Sequence, residues 1–324
     1  MVDKTTQLAN IIAVKDEFLA TVDQEIADKS VYRQAGLIVD DAEMGVVANG
    51  PLDTTYNKRF FKALDQDESA IPTDNPNDRG EAGNISMGVK KMRAHMRAKA
   101  FSAMDLASEV LDEDVMGAIA RRFGEYWMYD ERATVQAMFK SIMTQSGFTH
   151  TINGVLDIDG IVDACATKGD FYENIEGLIV NKAVHTLLQK AEGNLYVPKS
   201  KTDIGFDTYA GLKLIVDSAI APTAGVYTTV AFGRGAILSG VGRADTPVEY
   251  LRDAQAGNWG GRETLVNRRK FAFMPKGFSY EGTPALAASA SNAELATAGA
   301  FVASDDTRLI PLVFIKSKLS NPTT

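Results

Sequence analysis

Residues 246–280 decide the fold, and they read TPVEYLRDAQAGNWGGRETLVNRRKFAFMPKGFSY. The beginning of this stretch runs from acidic to basic side chains, which predicts a short helix. A glycine-rich turn around Trp259 follows, and after it comes a long strand with clustered Arg and Lys. Pro275 and Gly277 then predict an abrupt stop. The stretch therefore predicts a helix, a tight turn and one long charged strand.

Composition sets the outer limits of what this chain can be. It has 324 residues, 45% hydrophobic and 23% charged, enough for a sizeable core or two subdomains. The net charge of −8 and the pI near 5.1 weigh against nucleic-acid binding over the whole surface. Cys165 is the single cysteine, so no intramolecular disulfide is possible. We expect no secretory signal, no membrane partner and a cytoplasmic product.

Residues 50–101 predict a long hairpin that projects from the body. Segment 65–83, DQDESAIPTDNPNDRGEAG, is polar, acidic and rich in Pro and Gly, so it cannot build a core. Strand patterns flank it at residues 54–64 and 85–101. Because a hairpin alone is marginally stable in water, this one is expected to lie on another surface.

The returning strand carries a row of basic residues. The period of two between them predicts one basic face, with neighbouring charges roughly 7 Å apart. Such a row repels itself unless acids or phosphates lie opposite, and the acids near residues 65–68 and 112–114 are candidates. The interleaved residues are Met and Ala rather than stacking aromatics, which favours an inter-subunit salt-bridge face over nucleic-acid binding. The row consists of Lys91, Arg93, His95, Arg97 and Lys99.

The strongest helix signal covers residues 112–145. Three acids open it, an apolar stripe including Phe123 and Trp127 follows, and Gly147 predicts its end. A helix of that length spans roughly 45 Å, which is long for a compact domain. Residues 1–35 also show helical spacing and predict an N-terminal arm whose apolar stripe must be covered.

The rest of the chain predicts a mixed α/β unit and a C-terminal strand. Ser291 is predicted as the N-cap of a short helix at residues 292–298. The other predicted elements are a strand and turn at 154–160, helices at 161–167 and 183–191, and strands at 178–180, 209–216, 226–238 and 309–315.

Candidate chemistry in the sequence is weak. Cys165 with His185 has the residue types of a nucleophile and base, but no local signature supports catalysis, and a buried cysteine is favoured. The three histidines, His95, His150 and His185, lack metal-ligand spacing. The aspartates at 157, 159 and 163 fit a turn before a helix better than a calcium loop. The glycines of residues 232–242 fit strand ends and close packing. No catalytic, cofactor or metal site is predicted.

Three groups of residues, taken in order, carry a family resemblance. They are Pro247-Val248-Glu249, Arg252-Asp253, Gly260 to Leu265, Arg268-Arg269 and Phe271 with Pro275 to Gly277; Val230 to Ala236; and Asn292 to Ala296 with Leu309 to Val313. In order and spacing the chain resembles the major capsid proteins of tailed bacteriophages, which have the Hong Kong 97 type shell fold. The resemblance covers nearly the whole chain.

The resemblance implies an α+β fold with an N-arm, an extended loop hairpin, a peripheral domain with a long spine helix, and an α/β axial domain. Its expected parts are the arm and entry to the peripheral domain (1–49), the hairpin (50–101), the spine helix (102–150), the axial domain (151–245), the peripheral return strands (246–284) and the C-terminal helix and strand (285–324).

The resemblance also implies self-assembly into hexamers and pentamers of an icosahedral head that holds double-stranded DNA. Portal, scaffolding and decoration proteins are the implied partners, and the virion is the implied location. A cargo-enclosing nanocompartment shell and a soluble hydrolase using Cys165 are the alternatives. Trp259 is expected to dock into a neighbour. The expected ion-pair residues near symmetry axes are Arg252, Arg262, Arg268 and Arg269, with Glu249, Asp253 and Glu263 as partners.

Overall fold

A computed structural model describes residues 22, 24, 26 and 29–320, except 63, 65–67, 73, 78, 81, 112–114, 191–194, 203–204 and 285–288. The helices are α1 Val31–Gln34, α2 Ala42–Asn49, α3 Asp105–Leu111, α4 Val115–Ile142, α5 Ile158–Ala166, α6 Lys182–Lys190, α7 Ala256–Trp259 and α8 Asn292–Leu295. The strands are β1 Ile38–Asp40, β2 Thr55–Phe61, β3 Met87–Arg93, β4 His95–Met104, β5 Thr149–Val155, β6 Gly177–Val180, β7 Tyr196–Val197, β8 Asp207–Tyr209, β9 Leu212–Val216, β10 Tyr227–Phe232, β11 Ile237–Gly242, β12 Val248–Asp253, β13 Arg262–Pro275, β14 Phe278–Tyr280, β15 Phe301–Ala303 and β16 Leu312–Lys318.

The long strand β13 organises the first sheet. Strand β4 pairs antiparallel along one edge of β13, from Met104 opposite Arg262 to His95 opposite Phe271. Strands β12 and β11 follow one another along the other edge, and β1 adds to β11 in parallel. One strand therefore ties together three distant parts of the chain.

The helix α4 lies against this sheet along its length. Its 28 residues span about 42 Å at 1.5 Å per residue. Phe123 and Trp127 are buried near its beginning together with Val22 and Ile26 of the N-terminal arm. Met138, Phe139 and Ile142 are buried near its end in the main core. The stripe predicted from the sequence is therefore the packing face, and the core position of Trp127 is confirmed.

The second sheet has seven strands in the order β5-β16-β10-β6-β9-β8-β7. Helices α5 and α6 cover one face and form a separate core with residues such as Leu178 and Val313. The other face joins the main core, where the Phe314 ring lies 5.6 Å from that of Phe139 on α4. The long helix thus stands between the two sheets and contacts both.

Three predicted elements are wrong in detail. The helix expected at the start of residues 246–280 is the strand β12, whose charged residues pair across to β13 rather than along a helix. The strand expected at 226–238 is two strands, β10 and β11, which belong to different sheets. They separate at a turn where Gly235 has φ +67°. The strand expected at 209–216 is interrupted by a turn at Ala210 and Gly211, so β8 and β9 form a hairpin.

Other local predictions are confirmed. Ser291 caps α8 through a capping box with Glu294, although the helix ends at Leu295 rather than Ala298. Asp157 caps α5 by accepting from the Gly160 amide, as expected of a turn before a helix. Gly277, at φ +83°, turns the chain after β13. Most of the arm predicted over residues 1–35, including Leu8 to Leu19, lies outside the described residues. None of the helices over the described ranges has both the length and the apolarity to cross a membrane.

Gly240 and Gly242 let α2 pack backbone to backbone on β11, as the close-packing interpretation predicts. A Cβ on Gly240 would lie 2.1 Å from the Met44 carbonyl carbon, and one on Gly242 would lie 2.3 Å from the Ala48 oxygen. We expect Gly240→Ala to lower the free energy of unfolding by about 1–3 kcal/mol, because the helix must shift away from the strand. Gly45→Ala on α2 meets nothing within 4 Å and is the matched control. Denaturant unfolding of both variants measures this; equal midpoints would contradict it.

Candidate inter-subunit surfaces

The hairpin of β2 and β3 is anchored at its base and exposed beyond it. Lys58 pairs with Glu43, Lys90 with Asp305 at 2.6 Å, and Lys91 with Glu281 at 2.5 Å. Towards the tip, several large apolar side chains are more than two-fifths exposed. They are Phe61, Leu64, Ile71, Ile85, Met87 and Val89. We call this set the hairpin apolar surface. Its cross-strand pair, Phe61 opposite Met87, is 65% and 54% exposed.

The basic row does not form one face. Lys91 and Arg93 end β3, which pairs with β2, whereas His95, Arg97 and Lys99 begin β4, which pairs with β13. Ala94 lies between the two strands and breaks the alternation. The expected acids at 65–67 and 112–114 lie outside the described residues, and Glu68 is exposed. Among the described residues, Glu281 pairs with the row at Lys91.

Each member of the row has a partner within its own chain. Arg93 donates from Nε to the Leu52 carbonyl at 3.2 Å. Arg97 donates to the Ala290 carbonyl at 3.1 Å and to Asn292 Oδ1 at 2.8 Å. The Lys99 ammonium lies 5.4 Å and 5.3 Å from the ring centroids of Phe101 and Tyr126. These contacts close the base of the hairpin and join β4 to α8 and α4. A role of the row between subunits stays a prediction.

His95 is a core residue rather than a member of a basic face. It is 2% exposed, and its Nδ1 accepts from the Ala290 amide at 3.3 Å. The Tyr280 ring meets it edge-on with centroids 6.0 Å apart. Burial, helped by the charges of Arg97 and Arg93, lowers the pKa of His95 to about 4. His95 is therefore neutral at pH 7.

This burial predicts a pH dependence of stability. In the unfolded chain His95 titrates near its ordinary pKa of 6.5, while in the folded chain the pKa is about 4. As pH falls from 6.5 to 4 the unfolded state takes up the proton first, so folding loses up to about 3 kcal/mol. We expect His95→Gln, which keeps an acceptor for Ala290, to flatten this part of the stability curve. A folded-state NMR titration of His95 near 6.5 would contradict the assignment.

The outer end of the first sheet carries the predicted arginines, and their acidic partners are within the same chain. Arg252 bridges Glu263 at 2.8 Å and Asp105 at 2.6 Å. Arg262 lies 3.4 Å from Asp253, a strand neighbour. The predicted acids Glu263 and Asp253 thus pair with these arginines within the chain, where each exposed pair stabilises by at most about 1 kcal/mol. A position near symmetry axes stays a prediction.

Two further predicted residues lie deeper in the sheet. Arg268 donates to Glu249 at 2.7 Å and to the Thr246 carbonyl at 3.1 Å. The guanidinium of Arg269 lies 5.8 Å from the Trp127 ring centroid on α4. Their contacts support the sheet and helix, and whether they also meet a neighbour stays a prediction.

Trp259 is one of three exposed apolar side chains on neighbouring elements at the outer end of the sheet. Its side chain is 76% exposed. Trp259 belongs to a tight turn in which Gly257, Asn258 and Trp259 all have positive φ. On the adjoining helix α3, Leu106 and Val110 are 65% and 75% exposed. The two elements touch, since the Asp105 amide donates to the Gly261 carbonyl at 3.1 Å. We call these three side chains the outer apolar patch.

Tryptophan fluorescence tests whether Trp259 is covered on assembly. Trp127 is 2% exposed in the single chain, so assembly is expected to shift its emission wavelength very little. We expect assembled particles to emit at shorter wavelength than free subunits, with the shift lost in Trp259→Phe. Identical spectra before and after assembly would show that Trp259 stays in water.

A buried polar junction, which no sequence pattern indicated, joins α1, α4 and the second sheet. Asp217, 0% exposed at the end of β9, accepts from the Tyr32 hydroxyl, from Arg132 Nε at 2.7 Å and from Gln136 Nε2 at 2.6 Å. Burial raises the pKa of Asp217, but the hydrogen bonds from Arg132 and Tyr32 outweigh it and hold the pKa below the usual value. We call this set the Asp217 junction.

A second buried carboxylate lies one residue before Arg132. Glu131 is 4% exposed and accepts from Arg33 Nη2 at 2.8 Å and from the Ser30 hydroxyl at 3.1 Å. Arg33 also donates to Ser239 on β11 at 3.0 Å and to Asp40 at 2.8 Å. The segment before β1 is therefore bound to the middle of α4 directly at Glu131 and, through Asp217, at the adjacent Arg132.

Cys165 and His185, the residues weighed as a catalytic pair, lie on the helices α5 and α6. Burial raises the pKa of the Cys165 thiol, which disfavours the thiolate that a nucleophile needs. His185 Nε2 lies 3.2 Å from Asp207 Oδ2, and its ring meets Tyr196 edge-on. Over the part of the chain that the structure describes, no cluster of three or more His, Cys, Asp or Glu side chains has metal-site geometry.

Comparison with solved structures defines the class of this fold. The head structure of Helicobacter pylori bacteriophage KHP40 matches with a TM-score of 0.52, at 9% identity over 87% of each chain. The capsid of an empty GTA particle matches with a TM-score of 0.53, at 10% identity over 89% of this chain and 90% of that one. Microbacterium phage Oxtober96 matches with a TM-score of 0.51, at 12% identity over 88% and 90%. The fold is the α+β shell fold of phage capsids.

Sequence comparison agrees with the fold. The chain is 24% identical to the major capsid protein of Bacillus phage SPP1 over 97% of its own length and 98% of that protein. No protein-family model matches the chain. The resemblance stated from the sequence is confirmed: the chain is similar to a tailed-phage major capsid protein over nearly its whole length and has the fold of phage capsids.

Proposed function

We propose that copies of this chain assemble as hexamers and pentamers into a closed icosahedral head around double-stranded DNA. The observation that carries the proposal is the hairpin apolar surface, whose large apolar side chains are between 45% and 79% exposed in the single chain. Large exposed apolar groups mark interfaces. Repeated head-to-tail contacts that close give rings, and rings on a curved lattice give a shell.

The charge of the chain supports a DNA container. At −8 per copy, a shell of many copies carries a large negative charge overall. Such a wall does not hold a packaged polyanion in fixed contacts, so DNA contact is expected to be non-specific. Portal, scaffolding and decoration proteins are the further proposed partners, with assembly in the host cytoplasm and the virion as the final location.

The six-part division of the chain belongs to the same proposal. In it the arm (1–49) and the hairpin (50–101) clasp neighbouring copies, while the peripheral parts (102–150 and 246–284), the axial part (151–245) and the C-terminal part (285–324) form the tile. The interface candidates are the hairpin apolar surface and the outer apolar patch. The charged candidates already bonded within the chain, such as Lys91 and Arg252, are expected to hold these surfaces in shape.

We also propose that the protein catalyses no reaction. The raised pKa of the Cys165 thiol opposes the hydrolase alternative, because a cysteine nucleophile needs the thiolate. Cys165→Ser is expected to leave assembly and particle infectivity unchanged. A loss of function confined to this substitution would favour the hydrolase instead.

Electron microscopy of the overexpressed protein tests the proposal directly. We expect closed shells or, without a scaffolding protein, sheets and tubes built of the same capsomers. Particles purified from infected cells are expected to contain double-stranded DNA. Shells that contain a cellular protein and no nucleic acid would favour the nanocompartment, and a monomer at high concentration would exclude both.

A further inference from the structure

An apolar groove of about 660 Å³ lies beside α5 in the helical layer of the second sheet. Its other walls are the short 3₁₀ helix Gly169–Asn174 and the turn between β8 and β9. Ile161 and Ile175 line it from the core of this sheet, whereas Val162 and Tyr172 are 56% and 53% exposed. Exposed apolar side chains around a groove mark a place where another molecule packs. We call this feature the α5 groove.

The α5 groove is acidic. Among the described residues that line it, Glu173 carries the only charge. Glu173 is exposed and accepts from the Tyr172 hydroxyl at 3.4 Å. Asp159 and Asp163 are exposed on α5, each next along the chain to a lining residue. An apolar surface with carboxylates at its edge fits an apolar segment that carries positive charge.

The basic side chains near this layer leave those three carboxylates without a counter-charge. Arg308 pairs with Asp306 at 2.7 Å, and Lys213 pairs with Glu176 at 3.5 Å. Lys168 is buried and donates to a backbone carbonyl at 2.8 Å. Over the described ranges none of the three carboxylates forms an ion pair, so a cation from another molecule meets no competing base there.

The sequence of the N-terminal arm has the complementary pattern. Leu8 and Ile12 share one helical stripe with Val22, which is buried in the folded chain. Lys4 and Lys15 occupy the same stripe, four residues before Leu8 and three after Ile12. The acids of this part of the arm, Asp3, Asp16 and Glu17, fall outside the stripe. The arm therefore presents a short apolar strip with a lysine at each end, which we call the arm strip.

The arm strip of one chain falls short of its own α5 groove. Val22 packs beside Phe123 near the beginning of α4, whereas the groove lies on the far face of the sheet that α4 meets at Phe139. Between Phe123 and Phe139 the helix covers about 24 Å, and the sheet adds a layer of about 10 Å. A helix that runs back from Val22 reaches Leu8 after only about 21 Å. The groove of one copy is therefore available to the arm of another.

We propose that the α5 groove of one copy binds the arm strip of a neighbouring copy. The apolar side chains of the strip pack on Val162 and Tyr172, and its lysines lie beside Glu173 and Asp163. The contact rests on the proposed assembly of copies and names the surface that the arm clasps. It is head-to-tail, because the strip and the groove are different surfaces of the same chain.

Binding of a synthetic arm peptide tests the contact without assembly. A fluorescein-labelled peptide of residues 1–19 is titrated with dilute, unassembled full-length subunits, and its fluorescence anisotropy is measured. We expect saturable binding, weakened about tenfold or more by Val162→Asp in the subunit, because this change places a charge under the apolar strip. The control is Val46→Asp, which alters an equally exposed valine on α2, 68% exposed, and should bind the peptide as the wild type does.

Charge reversal separates a specific contact from general apolar adhesion. A peptide with Lys4→Glu and Lys15→Glu should bind the wild-type subunit about tenfold more weakly, because like charges then face each other. It should regain most of that affinity on a subunit with Glu173→Lys and Asp163→Lys. Both subunit positions are exposed, so circular dichroism should show an unchanged fold.

The inference is overturned if the wild-type peptide does not bind, or if Val162→Asp binds it as tightly as the wild type. It is also overturned if the reversed peptide binds both subunits equally, which would show adhesion without recognition of charge. The proposed head is tested separately by electron microscopy. Shells from subunits that do not bind the peptide would contradict the groove contact alone, whereas peptide binding by subunits that form no shell would contradict the head alone.

Discussion

Asp217→Ala is expected to lower the free energy of unfolding by about 3 kcal/mol. The substitution leaves the buried Tyr32 hydroxyl and the Gln136 amide without their acceptor, and it leaves Arg132 without its counter-charge. Removing one partner of a buried ionic network costs about 3–5 kcal/mol. The lower end applies here, because the Arg132 side chain is 40% exposed and can turn to water. Denaturant unfolding of unassembled subunits measures the effect.

Acid should remove the same stabilisation. The folded-state pKa of Asp217 lies below the ordinary 3.8, so its contribution is present above that value and is lost as pH falls through the folded pKa. Wild type and Asp217→Ala should therefore differ fully at neutral pH and converge in strong acid. Asp253→Ala removes an exposed carboxylate 3.4 Å from Arg262 and should cost at most about 1 kcal/mol. Equal decreases in the free energy of unfolding of the two variants would show that the Asp217 junction stabilises the chain no more than an exposed ion pair does.

The local signals in the sequence predicted many elements of this fold. The apolar stripe of α4, the hairpin on either side of an acidic segment, the Ser291 cap and the stop at Gly277 all depend on neighbours close in the chain. Periodicity and turn chemistry report such neighbours directly. The shell fold itself was predicted from the family resemblance, because local sequence patterns do not determine the order of the strands in a sheet.

What the sequence missed depends on distant partners. The Tyr32–Asp217 contact joins residues 185 positions apart, and Glu131 appeared as an ordinary polar residue on a helix. Glu249, Arg252 and Asp253 are three and four residues apart, and this is the spacing at which charged side chains interact on a helix. For that reason the sequence predicted a helix there. In the fold the same residues pair across two strands.

The basic row shows how periodicity fails at a strand break. Alternation from Lys91 to Lys99 holds in the sequence, but Ala94 separates two strands with different partners. The alternation of inward and outward side chains shifts at Ala94. As a result His95 lies in the core and is neutral, whereas Lys91 is about half exposed. The prediction of a single basic face is therefore wrong, whereas a role of these residues between subunits stays a prediction.

Phe61→Ser combined with Met87→Ser is expected to prevent assembly while leaving the subunit folded. The two side chains face each other on β2 and β3 and are 65% and 54% exposed, so their loss leaves no cavity in the chain. Surface changes of this kind alter subunit stability by about 0.5 kcal/mol or less. If a neighbour covers both side chains, each contributes about 1.5–3 kcal/mol to the contact.

The loss is repeated in every copy, and this makes the effect large. About 3 kcal/mol per contact corresponds to on the order of a hundredfold higher concentration for assembly. Sedimentation and electron microscopy of the double variant measure it, with circular dichroism to show that the subunit is folded. Asn57→Ser changes an exposed polar residue of the same hairpin and should assemble normally. Normal shells from the double variant would show that the hairpin apolar surface stays in water, and the contact between copies would then have to lie elsewhere, with the outer apolar patch at Trp259 as the next candidate.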